Sequence, residues 1–167
     1  MKRLLLIRHA KSSWKHEDVP DHERPLNKRG RRDAPRVGAE IEARYGAPQL
    51  IITSDATRAL ATVEGILDGM PSKQAKKVIV ERCPEFYLAG TEAVRRRLAT
   101  LDETIEYVAC VGHNPDWELL ASTLCGETVE MTTGNVVALC ATLPWVDAAW
   151  RDGLWTLDDH LKPRQLA

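Results

Sequence analysis

The sequence predicts an α/β fold, a single three-layer α/β/α domain over residues 1–167 with a largely parallel central sheet. Short apolar, β-branched runs alternate with segments of helical period along the chain, which is the pattern of successive βαβ units. A length of 167 residues is typical of one domain and is sufficient to bury a core without a disulfide or a metal ion. No repeat, low-complexity segment or linker interrupts the alternation.

The first part of the chain predicts a strand, a long loop and a helix. Leu4–Ile7 is a compact apolar run and predicts a buried strand. The polar stretch Lys11–Pro25 is too irregular for a regular element and predicts a loop. Asn27 has the character of a helix cap, and Val37 and Ile41 follow at helical spacing. We expect Pro35 to kink this helix or to move its start.

The rest of the chain continues the alternation. Strands are predicted over Gln49–Thr53, Val78–Val80, Glu106–Gly112, Val136–Leu143 and Leu154–Leu157. Helices are predicted after Ser54 and Thr91, which have the character of N-caps, and at Asn114-Pro115, with proline at the first helical position.

Composition excludes several classes of protein. Lysine and arginine number 23 against 24 aspartates and glutamates, and this balance argues against a nucleic-acid partner. No apolar stretch approaches the length of a membrane span. The apolar run near the start, Leu4–Ile7, is too short for a signal peptide. The four cysteines show no CxxC pair, so neither a zinc site nor a redox motif is indicated, and a reducing cytoplasmic location is predicted. No metal or cofactor is expected.

Four basic or imidazole side chains fall where predicted strands end. Arg8 and His9 follow the first strand, Arg58 lies on the first turn of a helix, and His113 ends the strand before Asn114. In α/β sheets, ligands bind outside the carboxyl ends of the strands. Arginine forks and helix N-termini both bind phosphate oxygens, so the four side chains predict a site for a phosphoryl group.

A neutral histidine can supply the nucleophile for such a site. Imidazole attacks phosphorus when one ring nitrogen is free and a hydrogen bond to the other fixes the tautomer. The sequence holds no Walker A segment, GxGxxG, Cys-x5-Arg loop or Ser-His-Asp set, and no carboxylate cluster for magnesium. Taken singly, each of the four residues is also compatible with a structural role.

Four segments together resemble the histidine phosphatase superfamily, also called phosphoglycerate mutase-like. They are Leu-Leu-Leu-Ile-Arg-His-Ala-Lys-Ser, starting at Leu4, Arg24–Gly30, Ile52–Ala59 and Val111–Pro115. The Arg-His-Ala-Lys-Ser opening, the Arg-Pro-Leu-Asn segment and the short chain are similar to the SixA-type phosphohistidine phosphatase branch.

The resemblance implies a phosphoglycerate mutase-like fold with His9 as the phosphate acceptor. Arg8, Arg58 and His113 would then form the phosphate pocket. Glu85, which follows the third predicted strand, is the candidate general acid and is equally compatible with a surface position. The chain departs from the wider family at Ala10 after the Arg-His pair, at Asp55 after Ser54 and at Leu60-Ala61-Thr62, and none of these departures removes a catalytic side chain.

The implied activity is a metal-independent phosphatase that acts on a phosphorylated protein or a small phosphorylated substrate. A mutase or a small-molecule phosphomonoesterase of the same superfamily is the closest alternative. A second is a phosphate-binding module without catalysis, although the nucleophile is present. A third is a metal site at His9, His16 and His22, whose spacings of seven and six fit no common ligand pattern. Trp14 is a further candidate for a side chain beside the site. Oligomeric state is not predicted.

Overall fold

One mixed sheet forms the centre of the structure, a computed structural model that describes residues 1–166. Its strands are β1 (Lys2–Arg8), β2 (Leu50–Thr53), β3 (Ile79–Arg82), β4 (Tyr107–Gly112), β5 (Val136–Ala141) and β6 (Thr156–Leu161). Their order across the sheet is β3-β2-β4-β1-β5-β6. Strands β3, β2, β4 and β1 run parallel, whereas β5 and β6 are antiparallel to their neighbours. The prediction of a largely parallel sheet is therefore confirmed.

Six α-helices and three short 3-10 helices connect the strands in the described residues. The α-helices are α1 (Lys28–Tyr45), α2 (Thr57–Gly69), α3 (Ser72–Ala75), α4 (Thr91–Ala99), α5 (Asp116–Cys125) and α6 (Trp145–Ala148), and the 3-10 helices are Asp21–Glu23, Pro84–Phe86 and Pro163–Gln165. None of these helices is long and apolar enough to cross a membrane.

The sheet buries a separate apolar layer on each face. Successive side chains of a strand point to opposite faces, so Leu4 and Leu6 belong to one layer and Leu5 and Ile7 to the other. The first layer includes side chains from α4, α5 and α6. The second includes side chains from α1 and α2. This arrangement is the three-layer α/β/α architecture that the sequence predicts.

Helices α1 and α2 pack almost backbone to backbone. A Cβ atom on Gly38 would lie 2.0 Å from the carbonyl oxygen of Ile66, and one on Gly69 would lie 1.9 Å from that of Pro35. Neither position has room for a larger residue. Pro35 lies inside α1 and does not delay its start, which is at Lys28 after the Asn27 cap. The side chain of Asn27 accepts a hydrogen bond from the backbone N–H of Gly30.

Several local expectations need correction. Helix α2 begins at Thr57, not directly after Ser54, because Ser54 instead lies in the segment that joins β2 to the helix. Pro115 precedes α5 and is not its first residue. The run Arg95-Arg96-Arg97 favours a solvated helix face on sequence alone, but Arg95 is buried and donates to the carbonyl oxygen of Ala149 and to the carboxylate of Asp152.

Candidate active site

His9 follows the last residue of β1 and is buried. Its Nδ1 lies 2.7 Å from the carbonyl oxygen of Ala10. Burial lowers the pKa of His9 to about 3, and the charges of Arg58, Arg8 and Arg24 act in the same direction. The ring is therefore neutral at pH 7. A carbonyl can only accept, so Nδ1 carries the proton and Nε2 keeps a free lone pair.

Arg58 is the second residue of α2 and its side chain is buried against His9. Its Nε lies 3.3 Å from Nε2 of the histidine. Thr62 connects the two segments that carry these side chains, since its hydroxyl donates to the carbonyl oxygen of Arg58 and accepts from the N–H of Ala10. The register of the sheet explains the meeting, because β2 and β1 both pair with β4 and end at the same edge.

His113 follows β4 and faces His9, with the two ring centroids 5.2 Å apart. Its Nε2 lies 2.8 Å from the hydroxyl of Ser54, which also accepts the N–H of Ala56. A hydroxyl has one hydrogen and two acceptor lone pairs, so Ser54 can donate to Nε2 or accept from it, and the contact is compatible with the ring proton on Nε2 or on Nδ1. That Nδ1 is buried and makes no hydrogen bond within residues 1–166. Burial lowers the pKa of His113 to about 3, so this ring is neutral as well.

Arg8 is the last residue of β1 and completes the group of four. Its Nη1 donates to the carbonyl oxygen of Met131 at 2.9 Å, whereas its buried Nε has no partner among the described residues. The charge of Arg8 lowers the pKa of His9, which indicates that the two groups interact. We call Arg8, His9, Arg58 and His113 the strand-end cluster. The structure brings these four predicted residues together.

Two further charged residues come from the loop over residues 11–25 and were missed in the sequence. Arg24 is buried, donates to the hydroxyl of Ser12, and has its guanidinium carbon 3.8 Å from the ring centroid of Trp14. Its charge lowers the pKa of both His9 and His113. The Arg-Pro-Leu-Asn segment begins with Arg24, and this match to the family is the sequence signal that could have singled it out.

Asp21 holds three donors at the mouth of the site. Its Oδ2 accepts from Arg58 Nη2 at 3.0 Å and from the Tyr87 hydroxyl at 2.6 Å, and its Oδ1 accepts from Arg24 Nη2 at 3.1 Å. The hydrogen bond from Tyr87, followed by those with the two arginines, holds the pKa of Asp21 well below its usual range. Asp21 is therefore an ionised carboxylate that cannot donate a proton. No sequence motif marks it.

The structure does not bring Glu85 to the strand-end cluster. Glu85 lies in the 3-10 helix after β3, its side chain is exposed, and the Cys83 thiol donates to its Oε2 at 3.4 Å. It lines a separate groove together with Arg96 and Arg97. Tyr87, two residues later, lies beside the site instead. Its ring packs edge-on against that of His113, with the two ring centroids 5.4 Å apart.

The histidines considered for a metal site are dispersed. His16 is exposed on the loop, and Nε2 of His22 pairs with the carboxylate of Asp55 at 2.8 Å. Across residues 1–166 no group of three or more His, Cys, Asp or Glu side chains is arranged to hold a metal ion. The strand-end cluster, by contrast, combines two guanidinium groups with two neutral imidazoles, a set suited to binding an oxyanion and to nucleophilic attack.

Comparison with known proteins gives three informative matches. An uncharacterised chloroplastic protein of Arabidopsis thaliana is 36% identical over 152 residues, which are 84% of this chain and 66%, just under two thirds, of that protein. A structure assigned as the phosphohistidine phosphatase SixA of Agrobacterium tumefaciens has a TM-score of 0.80 at 26% identity, covering 97% of this chain and 98% of that one. The protein histidine phosphatase SixA in complex with tungstate has a TM-score of 0.79 at 20% identity, with 97% of each chain covered, and shares the fold.

The fold is thus phosphoglycerate mutase-like, and its neighbours support phosphatase activity. The family model described as histidine phosphatase superfamily (branch 1) matches residues 4–88, which include the Arg8-His9 pair and Arg58. The chain belongs to the histidine phosphatase superfamily.

Proposed function

We propose that this chain is a metal-independent phosphatase that removes phosphate from phosphohistidine on proteins through a covalent intermediate at His9. The observation that carries the proposal is the state of His9, a neutral ring whose Nδ1 is bound to the Ala10 carbonyl and whose Nε2 lies beside Arg58. We further propose that residues 1–167 act as one histidine phosphatase domain.

In the first step Nε2 of His9 attacks phosphorus and the bond to the leaving nitrogen breaks. The hydrogen bond from Nδ1 to Ala10 holds the ring in the reactive tautomer and stabilises the positive charge that develops on it. The Nε–H of Arg58 points at the attacking lone pair of His9. When substrate binds, this N–H would donate its hydrogen bond to a phosphoryl oxygen instead. In the second step water attacks the phosphorylated histidine, which releases inorganic phosphate and restores the neutral ring.

The phosphoryl oxygens carry the charge of a loose transition state, and fixed cations stabilise it. Arg58 and Arg8 supply two guanidinium groups, and His113 supplies a neutral donor in the tautomer that carries its proton on Nδ1. Nε of Arg8 and Nδ1 of His113 are among the buried nitrogens without a partner in residues 1–166, and in that tautomer both are donors of the kind that an oxyanion satisfies.

The absence of a proton-donating carboxyl group within the cluster favours a labile P–N bond as substrate. An alkyl ester leaves as a strongly basic alkoxide and needs a general acid. Among the described residues, Asp21 is the carboxylate that accepts a hydrogen bond from the cluster, and it is ionised. Glu118 interacts with Arg8 through its charge, and its Oε2 accepts hydrogen bonds from Asn114 and from the N–H of Met131. Glu85 has no contact there, so we assign it no step. A protonated imidazole departs as a neutral molecule and needs no acid.

A small-molecule phosphomonoesterase of the same superfamily is the second candidate. It is favoured by the open groove of about 390 Å³ that leads outward from Asp21 and Arg24, since a small ligand would also fit there.

A cytoplasmic location remains a prediction. The cysteines, all free thiols, are compatible with a reducing compartment.

Hydrolysis of a phosphohistidine peptide labelled with ³²P tests the proposal. We expect turnover that persists in excess EDTA, together with an acid-labile, base-stable label on His9 after rapid quenching. Loss of activity in EDTA with recovery on adding magnesium or zinc would contradict the metal-free route. A chain that hydrolyses small esters at least as fast as the peptide would favour the second candidate.

A further inference from the structure

Asp21 places a negative charge inside a site that must bind an anion. Its carboxylate contacts both Arg58 and Arg24, whose side chains are almost fully buried, while its own side chain is 45% exposed. In electrostatic terms it cancels one of the three arginine charges around His9. A site built only to attract a phosphoryl dianion would gain affinity without this carboxylate.

Holding Arg58 in position does not require the carboxylate. The Nη1 of Arg58 already donates to the backbone carbonyl oxygen of Asp21 at 2.7 Å, and its Nε faces His9. Arg24 is likewise held by Ser12 and by its stacking on Trp14. The charge of Asp21 therefore has an effect separable from the placement of the two arginines.

The carboxylate lies between the buried cluster and solvent, since its side chain is 45% exposed whereas that of Arg58 is 5% exposed. His9 is buried, and a phosphoryl group attacked from Nε2 has its leaving group opposite, toward solvent. Asp21 and Arg24 also line an open groove of about 390 Å³, together with Trp14, His16, Glu17 and Val19. A leaving imidazole attached to a peptide fits such a groove in size.

We propose that Asp21 is a specificity-determining residue that favours a phosphoryl group carried on a protonated nitrogen over a phosphate ester. This inference deepens the proposed function and rests on it. The carboxylate attracts a leaving nitrogen that is still partly positive in the transition state, and it repels a leaving oxygen that is becoming negative.

The favoured step balances without an added acid. The lone pair of His9 Nε2 forms the new N–P bond, and the electron pair of the breaking P–N bond returns to the leaving imidazolium. That ring departs as neutral imidazole with the proton that it already carried. With an ester, the same electrons stay on oxygen as an alkoxide, whose negative charge faces Asp21.

The size of the effect follows from Coulomb's law. About half a charge at roughly 6 Å from the carboxylate, at an effective dielectric constant of about 20, changes a rate about tenfold. The two substrate classes feel this interaction with opposite sign. The ratio of their kcat/KM values therefore responds more strongly than either value alone.

The experiment compares phosphoramidate and methyl phosphate as substrates of the full chain and of Asp21→Asn. We expect the kcat/KM ratio of phosphoramidate to methyl phosphate to fall at least about tenfold, mainly because ester hydrolysis rises, and inorganic phosphate to inhibit the variant more strongly. Asp55→Asn is the matched control, because it removes a carboxylate that pairs with His22 and touches neither arginine. Its ratio should stay within threefold of that of the unaltered chain.

Equal loss on both substrates in Asp21→Asn would overturn the inference and make Asp21 a positioning residue for Arg58. An unchanged ratio would overturn it as well. Tyr87→Phe supplies a variant of opposite sign, since it removes a donor from the carboxylate and should raise the ratio. An unaltered chain that does not prefer phosphoramidate at all would contradict the proposed function itself, and this outcome is read from that chain alone.

Discussion

The strand-end cluster and the loop over residues 11–25 contribute to the same site in different ways. His9 and His113 are fixed by neighbouring strands of the sheet and are buried to 6% and 2% exposure. Asp21 and Trp14 are held mainly by side-chain contacts. The side chain of Asp21 is 45% exposed, and Trp14 as a whole residue is 71% exposed. The comparison suggests that the sheet sets the chemistry, whereas the loop sets the charge and shape presented to the leaving group.

Replacing His9 by alanine is the strongest test of the role of the sheet. The nucleophile has no substitute, so we expect His9→Ala to lose turnover of the phosphohistidine peptide and the radiolabel entirely. Lys73→Ala, on the exposed surface of α3, is the control and should keep near-normal activity. Substantial turnover by His9→Ala would break the assignment.

Arg58 should have the next largest effect. We expect Arg58→Ala to reduce kcat/KM about a hundredfold, the scale of losing one donor to the transition state. Arg58→Lys should recover little, because an ammonium group cannot reproduce the guanidinium fork that contacts both His9 and Asp21. Arg32→Ala, on the exposed face of α1, serves as the control for loss of a positive charge. Full recovery by lysine would mean that charge alone matters.

The buried state of His9 also predicts how stability depends on pH. Its pKa is about 3 in the folded chain and about 6.5 when unfolded, so the unfolded chain binds more protons below pH 6.5. Stability is therefore lost as the pH falls from 6.5 toward 3. We expect His9→Ala to gain about 2 kcal/mol relative to the unaltered chain between pH 8 and pH 5, about 30-fold in the folding equilibrium.

Urea unfolding at the two pH values measures this gain. The cavity left by the ring costs the same at both, so the change with pH isolates ionisation. A variant whose relative stability is independent of pH would contradict a neutral, buried His9.

Arg24 tests the contribution of the loop. We expect Arg24→Ala to raise KM about tenfold with a smaller change in kcat, because this arginine adds charge to the site but has no contact with His9 itself. Steady-state kinetics on the peptide separates the two constants. A loss in kcat as large as that of Arg58→Ala would make the loop part of the chemical step and remove the distinction between the two regions.

Glu85 should give the smallest effect. Its side chain contacts Cys83 and makes no contact with the strand-end cluster. We therefore expect Glu85→Gln to change kcat/KM less than twofold, for the ester and for phosphoramidate alike. A selective loss on the ester would restore the general-acid hypothesis drawn from the sequence.

The parts of the site that depend on sheet topology could be predicted from sequence. Arg8, His9 and His113 directly end or follow apolar runs, and parallel strands end at one edge, so their meeting follows from the pattern. The contact between Ser54 and His113 was not predicted, because the two residues are distant in sequence. The hydroxyl of Ser54 also accepts the nearby N–H of Ala56.

The loop could not be predicted in the same way. Asp21 meets Tyr87 from a segment 66 residues later in the chain, and no periodicity encodes such a contact. Arg24 is followed by several basic residues in the sequence, yet it is buried by Trp14 and Ser12 whereas Arg32 is exposed. The antiparallel pairing of β5 and β6 was likewise outside what alternation of strands and helices can specify.

The close packing of α1 against α2 has a mechanical consequence for the spacing of the charges. Arg24 lies four residues before α1, and Arg58 is the second residue of α2. Because Gly38 and Gly69 bring the two backbones into contact, a larger side chain at either position would force α1 and α2 apart. Replacing either glycine by a larger residue would thus change the distance between the guanidinium groups of Arg24 and Arg58 at the mouth of the site, although neither glycine faces the site.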